Sequence, residues 1–101
     1  MEQNTKKIEV KIKSPMGWIK VYADLTEKET TFTGEARLMG FTVELTDCAK
    51  KGNHYSFVAS PTLPFGVLRV EIEADIAENG QVTGIANAPR HKPMEIIGQV
   101  V

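Results

Sequence analysis

The sequence predicts an all-β domain: an eight-stranded antiparallel up-and-down meander closed into a small barrel. Three observations predict it. Apolar residues recur with period two along most of the chain, and no stretch carries the 3.6-residue period of a convincing helix. The connections between these stretches are short and carry Gly, Asn and Pro. Each stretch has one apolar and one polar face, as in antiparallel sheets wetted on one side.

The stretches follow in order. Ile8, Val10 and Ile12 alternate with Glu9, Lys11 and Lys13. Ile19, Val21, Ala23 and Leu25 alternate with Trp18, Lys20, Tyr22 and Asp24. Phe32, Gly34, Ala36 and Leu38 form the third inner face, and Phe41, Val43 and Leu45 the fourth. Tyr55, Phe57 and Ala59 form the fifth, with His54, Ser56 and Val58 outside. The sixth has the clearest pattern: Leu68, Val70, Ile72, Ala74 and Ile76 alternate with Arg69, Glu71, Glu73 and Asp75. Val82, Gly84, Ala86 and Ala88 make the seventh, and Met94, Ile96, Gly98 and Val100 the eighth.

Turn chemistry joins them. Asn79-Gly80 suits a type I′ hairpin. Pro15-Met16-Gly17, Met39-Gly40 and Lys51-Gly52-Asn53 punctuate other hairpins, and Asp47 to Lys51 has room for a single helical turn. A flat sheet of this size would leave a whole apolar face in water. Closing it buries that face and removes the edge strands. A two-sheet β-sandwich is the alternative.

The chain reads as a single domain, residues 1–101, built from repeat units of about 7–53 and 54–101. Pro15-Met16-Gly17 aligns with Pro64-Phe65-Gly66, Asp24-Leu25 with Asp75-Ile76, and Thr33-Gly34-Glu35-Ala36 with Thr83-Gly84-Ile85-Ala86. One change of offset is two residues inside a strand, which keeps every side chain on its own face. Gly34 and Gly84 fall on the inner face. Glycine there marks either a sharp bend of the barrel or space inside it.

Composition narrows the function. The chain has 101 residues, 42% of them hydrophobic and 25% charged, as a globular domain should. The net charge of −1, with Lys and Arg scattered, argues against a dedicated nucleic-acid protein, which needs a concentrated cationic face. No apolar run approaches a membrane span, so no membrane partner is expected. A single cysteine, Cys48, rules out an internal disulfide; with an N-terminus unlike a signal peptide, it points to the cytoplasm.

The two ends of a meander collect alternate connections. One end takes Thr26 to Glu29, Asp47 to Asn53 and Glu78 to Gly80, polar turns of solvent-facing type. The other takes Ser14 to Gly17, Met39-Gly40, Ser60 to Gly66 and Ala88 to Pro93. Met16, Met39, Leu63 and Phe65 lie there, Trp18 is close by, and Arg90 and His91 rim it. Apolar residues edged by cations suit a ligand mouth, an oligomer interface or a plug over the core. As a mouth it fits a hydrophobic or amphipathic carboxylate, with Arg90 taking the acid group in a bidentate pair.

Catalytic and metal signatures are thin. His54 and His91 have no sequence partner that suggests a metal site, and one cysteine cannot make a zinc knuckle. Glu71, Glu73 and Asp75 read as a solvated outer row paired across strands. No cofactor, metal or catalytic residue is assigned, and the chain reads as a binding domain rather than an enzyme. The alternatives are an oligomerisation or protein-interaction module without a ligand, homo-oligomeric or not, and a small barrel cyclase or isomerase.

Meander, size and closure together resemble the lipocalin-like (calycin) barrels. That resemblance implies a small hydrophobic ligand held inside. It covers the whole chain at the level of architecture. Gly17 and Trp18 are adjacent here and precede the second strand, unlike the Gly-x-Trp element of those proteins, so no functional residue is carried over.

Overall fold

A computed structural model describes residues 4–15, 17–29, 31–38, 40–63 and 66–101 of the chain. Its strands are β1 (Asn4–Ser14), β2 (Gly17–Glu27), β3 (Phe32–Leu38), β4 (Phe41–Lys51), β5 (His54–Ala59), β6 (Thr62–Leu63), β7 (Gly66–Val67), β8 (Val70–Ile76), β9 (Gln81–Asn87) and β10 (Met94–Val100). Eight of them close a barrel in the order β1-β10-β9-β8-β5-β4-β3-β2, every pair antiparallel. The closing seam runs from Ile8 opposite Val100 to Ile12 opposite Ile96. The barrel is therefore the meander that the period-two pattern predicts, and the sandwich is set aside. Closure pairs both sides of every barrel strand and leaves no open edge to template aggregation.

The apolar part of the inner face is the predicted one, save for Phe41. Ile8, Val10, Val21, Ala23, Leu25, Phe32, Val82, Ala86 and Ile96 are buried in one cluster. Phe32 meets Tyr55 and Phe57 edge-on, with ring centroids 5.3 and 5.9 Å apart. Such contacts add about 0.5–1.5 kcal/mol each beyond area burial. Gly34 and Gly84 stand opposite Leu25 and Ala74 on the inner face. A Cβ at Gly34 would lie 2.3 Å from the Asp24 carbonyl oxygen, and one at Gly84 2.2 Å from that of Glu73. Of the two sequence readings, the structure takes the close approach: these glycines let the sheet bend tightly.

Several local details depart from the sequence reading. The connection after β5 contains an added hairpin, β6–β7, with Thr62 opposite Val67. Two-residue strands carry too little periodicity to be read. Asp47 to Lys51 forms no helical turn, because β4 continues through it with a bulge between Thr46 and Ala49. Asp47 takes a φ of 51° there. At Ala77–Gln81, Gly80 donates to the Ala77 carbonyl, and Gly80, not Asn79, has positive φ. The turn is thus a three-residue type I loop closed by a left-handed glycine, not type I′. Phe41 keeps inward parity but stands at the barrel rim, 56% exposed.

Candidate functional site

The barrel holds a cavity of about 100 Å³, and no polar atom lines it. Cross-strand partners Ala23 and Ala36 both face it. Small side chains at paired positions leave the space that larger ones would fill. The lining reaches Ile12, Leu38 and Pro61 beside the connections of the apolar end. An apolar cavity of comparable size, about 150 Å³, stays dry and takes benzene or xenon. This lumen is in that range, far from the room a large lipophile needs.

The opposite end is sealed by charge. Lys6 Nζ lies 2.8 Å from Glu27 Oε1, and Lys50 Nζ 2.6 Å from Glu27 Oε2. The Tyr55 hydroxyl donates to Glu27 Oε1 at 2.8 Å and accepts from Lys6 at 3.3 Å. Tyr55 also lines the lumen, so its ring belongs to the cavity and its hydroxyl to the seal. The Glu27 side chain is only 10% exposed. Burial by itself would raise its pKa, but hydrogen bonds from Lys50, Lys6 and Tyr55 outweigh that and hold it at about 2. The bond to Glu27 in turn raises the pKa of both lysines. They stay protonated, so neither is an amine nucleophile.

Sequence reasoning placed Glu27 among solvent-facing turn residues; the structure turns it inward. Period two carried the signal, since Glu27 is the next inner position after Leu25, and Lys6 the one before Ile8. Lys50 was hidden by the bulge. Leu45 pairs with Ala59, but after the extra residue Lys50 pairs with Tyr55. The bulge therefore flips β4 by one position and swings Lys50 over Glu27.

Of the predicted ligand residues, Trp18, Arg90 and His91 do not line the lumen. Trp18 is opposite Lys13 on the outer wall and 48% exposed. It shares a shallow hollow with Lys11, Lys20 and Ile97, not the lumen. Arg90 and His91 are exposed in the β9–β10 connection, off the lumen wall. Arg90 has a φ of 64°, and the His91 amide donates to the Ala88 carbonyl. The backbone of Leu63 is in β6. Met16, Met39 and Phe65 lie outside the described residues.

Cys48 and His54 are two further titratable groups whose surroundings shift them. The Cys48 thiol is half-buried, and burial, with Asp47 beside it, pushes its pKa up. His54 Nδ1 lies 2.9 Å from Asp75 and Nε2 3.5 Å from Glu73, on the outside. The hydrogen bond that His54 donates to Asp75 leads in raising its pKa. Arg69 reaches Glu71 at 3.7 Å along the chain, so the acidic row of β8 is exposed and paired, with His54 rather than a Lys or Arg as its partner on the neighbouring strand β5. Among the described residues no group of His, Cys, Asp and Glu is arranged to hold a metal ion. Comparison with protein-family models, with curated proteins and with solved structures finds no match to this chain.

Proposed function

We propose that the domain binds a small hydrophobic or amphipathic molecule, in the manner of a miniature lipocalin-like barrel. The observation that carries this is the wholly apolar lumen of about 100 Å³, closed at one end by the Glu27 cluster. A guest there buries apolar surface and has no polar partner to meet, since the one nearby hydroxyl is held by Glu27. Only the apolar part of a ligand fits inside. A carboxylate would stay at the apolar end, where exposed Arg90, His91 and Lys92 share one connection. The barrel thus favours a short-chain or aromatic acid held tail-first. The apolar lining supports binding as the activity.

Trp18 faces outward and will not report on the lumen. The test is methyl NMR under xenon or benzene, followed by short-chain carboxylates. Saturable shifts at Val10, Val43 and Ala36 are expected, and Arg90→Ala should weaken the carboxylates while sparing benzene. Lumen methyls that stay unmoved at near-saturating benzene and under xenon pressure overturn the reading.

A further inference from the structure

We propose that the outer wall formed by β2, β1 and β10 binds single-stranded nucleic acid, independently of the lumen. On the outside of β2, Trp18, Lys20 and Tyr22 alternate, and the two aromatic rings are 48% and 42% exposed. Along a strand, positions four apart are about 13 Å from one another, with the intervening lysine between them. On β1, Lys13 faces Trp18 and Lys11 faces Lys20, and Ile97 of β10 lies on the other side of Lys11. Lys11 and Lys13 form no ion pair among the described residues.

Two hollows on this wall share Lys11 and Ile97. Trp18, Lys20, Lys11 and Ile97 line the first. Lys11 and Ile97 also line the second, with Gln99, Gln81, Asn79 and Glu9, the last held by Lys20. A base seated in the first would stack against the indole with an aliphatic wall at its edge and two ammonium groups within reach of its phosphates. The amides of the second offer donors and acceptors to base edges. Stacking on exposed aromatics beside a cationic track is how single strands are held with little sequence preference.

The net charge of −1 averages over two unlike walls. Lys7, Lys11, Lys13 and Lys20 lie on the outside of β1 and β2, where Glu9 is paired to Lys20 and Asp24 to Arg37, and Glu95 is the exposed acid of β10 on the same wall. Glu71, Glu73 and Asp75 of β8 and Glu44 of β4 lie on the outside of strands on the far side of the barrel. Among the described residues the lysines of this wall that make no ion pair, Lys7, Lys11 and Lys13, outnumber its one such acid, Glu95. A polyanion is complementary to this wall, and the paired aromatics favour one that carries bases.

The experiment is fluorescence anisotropy of the full chain with labelled oligothymidylate of about twelve nucleotides, within the span one small barrel covers, at low salt. Binding should quench Trp18, the sole tryptophan. Engaging about three phosphates gives a log–log salt slope near −2, so doubling the salt weakens binding about fourfold. Trp18→Ala should weaken binding about tenfold, and Lys11→Gln with Lys13→Gln should flatten the salt slope, each with an unchanged melting temperature. Failure to bind at low salt overturns the proposal, as does affinity indifferent to Trp18→Ala. Equal binding to polyglutamate or to anionic vesicles also overturns it, and assigns the wall to a generic anion instead.

Discussion

The Tyr55 hydroxyl donates to Glu27 Oε1 at 2.8 Å, across 28 positions of sequence, and this bond joins the floor of the lumen to the charged seal beneath it. Lys6 and Lys50 complete the seal, each with its ammonium 5.8 and 5.5 Å from the Tyr55 ring centroid. A carboxylate inside a narrow barrel costs solvation unless its oxygens are fully met. Here both oxygens are, and four strands, β1, β2, β4 and β5, are tied at one end of the barrel.

Glu27→Gln should therefore destabilise the fold. It leaves two ammonium groups facing a neutral amide. Breaking a fully buried pair costs about 3–5 kcal/mol, and the partial exposure of Lys6 and Lys50 reduces this to about 2 kcal/mol. For a domain of this size that is a fall of roughly 10 °C in melting temperature. Denaturant titration of both proteins measures it. A variant as stable as the parent would mean that the seal is ornamental.

The same carboxylate sets an acid limit. Its pKa falls from 4.5 unfolded to about 2 folded, so the unfolded chain binds the proton more tightly. The stabilisation is fully present above pH 4.5 and is lost as pH falls through about 2. Discounted for the partial exposure of Lys6 and Lys50, the shift corresponds to about 2 kcal/mol at neutral pH. Urea midpoints from pH 6 down to pH 2 should decline steeply in the parent and more gently in Glu27→Gln. Parallel curves would assign the acid lability to other carboxylates.

Much of this structure was legible in the sequence, for a physical reason. A closed antiparallel sheet has one dry face, so period two encodes both strand and orientation, and Ile8 to Ile96 follow it to the core. Parity even placed Trp18 outside, opposite Ile19, where the structure has it. Legibility failed where polarity and parity part company. Lys6 and Glu27 hold inner positions while carrying charge, and composition spoke louder than spacing. It failed again at Asp47, where one residue of left-handed backbone reverses the parity of Lys50. Nothing in the order of residues announces such a bulge.

The inner glycines should be less replaceable than those in turns. A Cβ at Gly84 would stand 2.2 Å from the Glu73 carbonyl oxygen, and one at Gly98 2.2 Å from that of Glu9. Backbone cannot yield cheaply there, so Gly84→Ala should cost about 3 kcal/mol, at the upper end of overpacking penalties. Gly40 has open space around its Cβ position and a φ of 81°. Gly40→Ala should cost only the left-handed strain, about 1–2 kcal/mol. Chemical denaturation ranks the two, and a reversed order would refute the close approach of β8 and β9.

The lumen rests on the alanine pair, and filling it separates ligand binding from stability. Ala23 and Ala36 are buried opposite one another on β2 and β3, and both line the cavity. Ala36→Val places two methyl groups into space that is empty rather than packed. Cavity filling of this kind commonly adds about 0.5–2 kcal/mol, whereas the same change in a solid core would cost about 1–3 kcal/mol. The variant should therefore melt at or above the parent temperature and lose most of its affinity for benzene and short-chain carboxylates. Binding that survives a filled lumen would move the ligand to the outer wall. A large loss of stability would mean that the lumen has no room to fill.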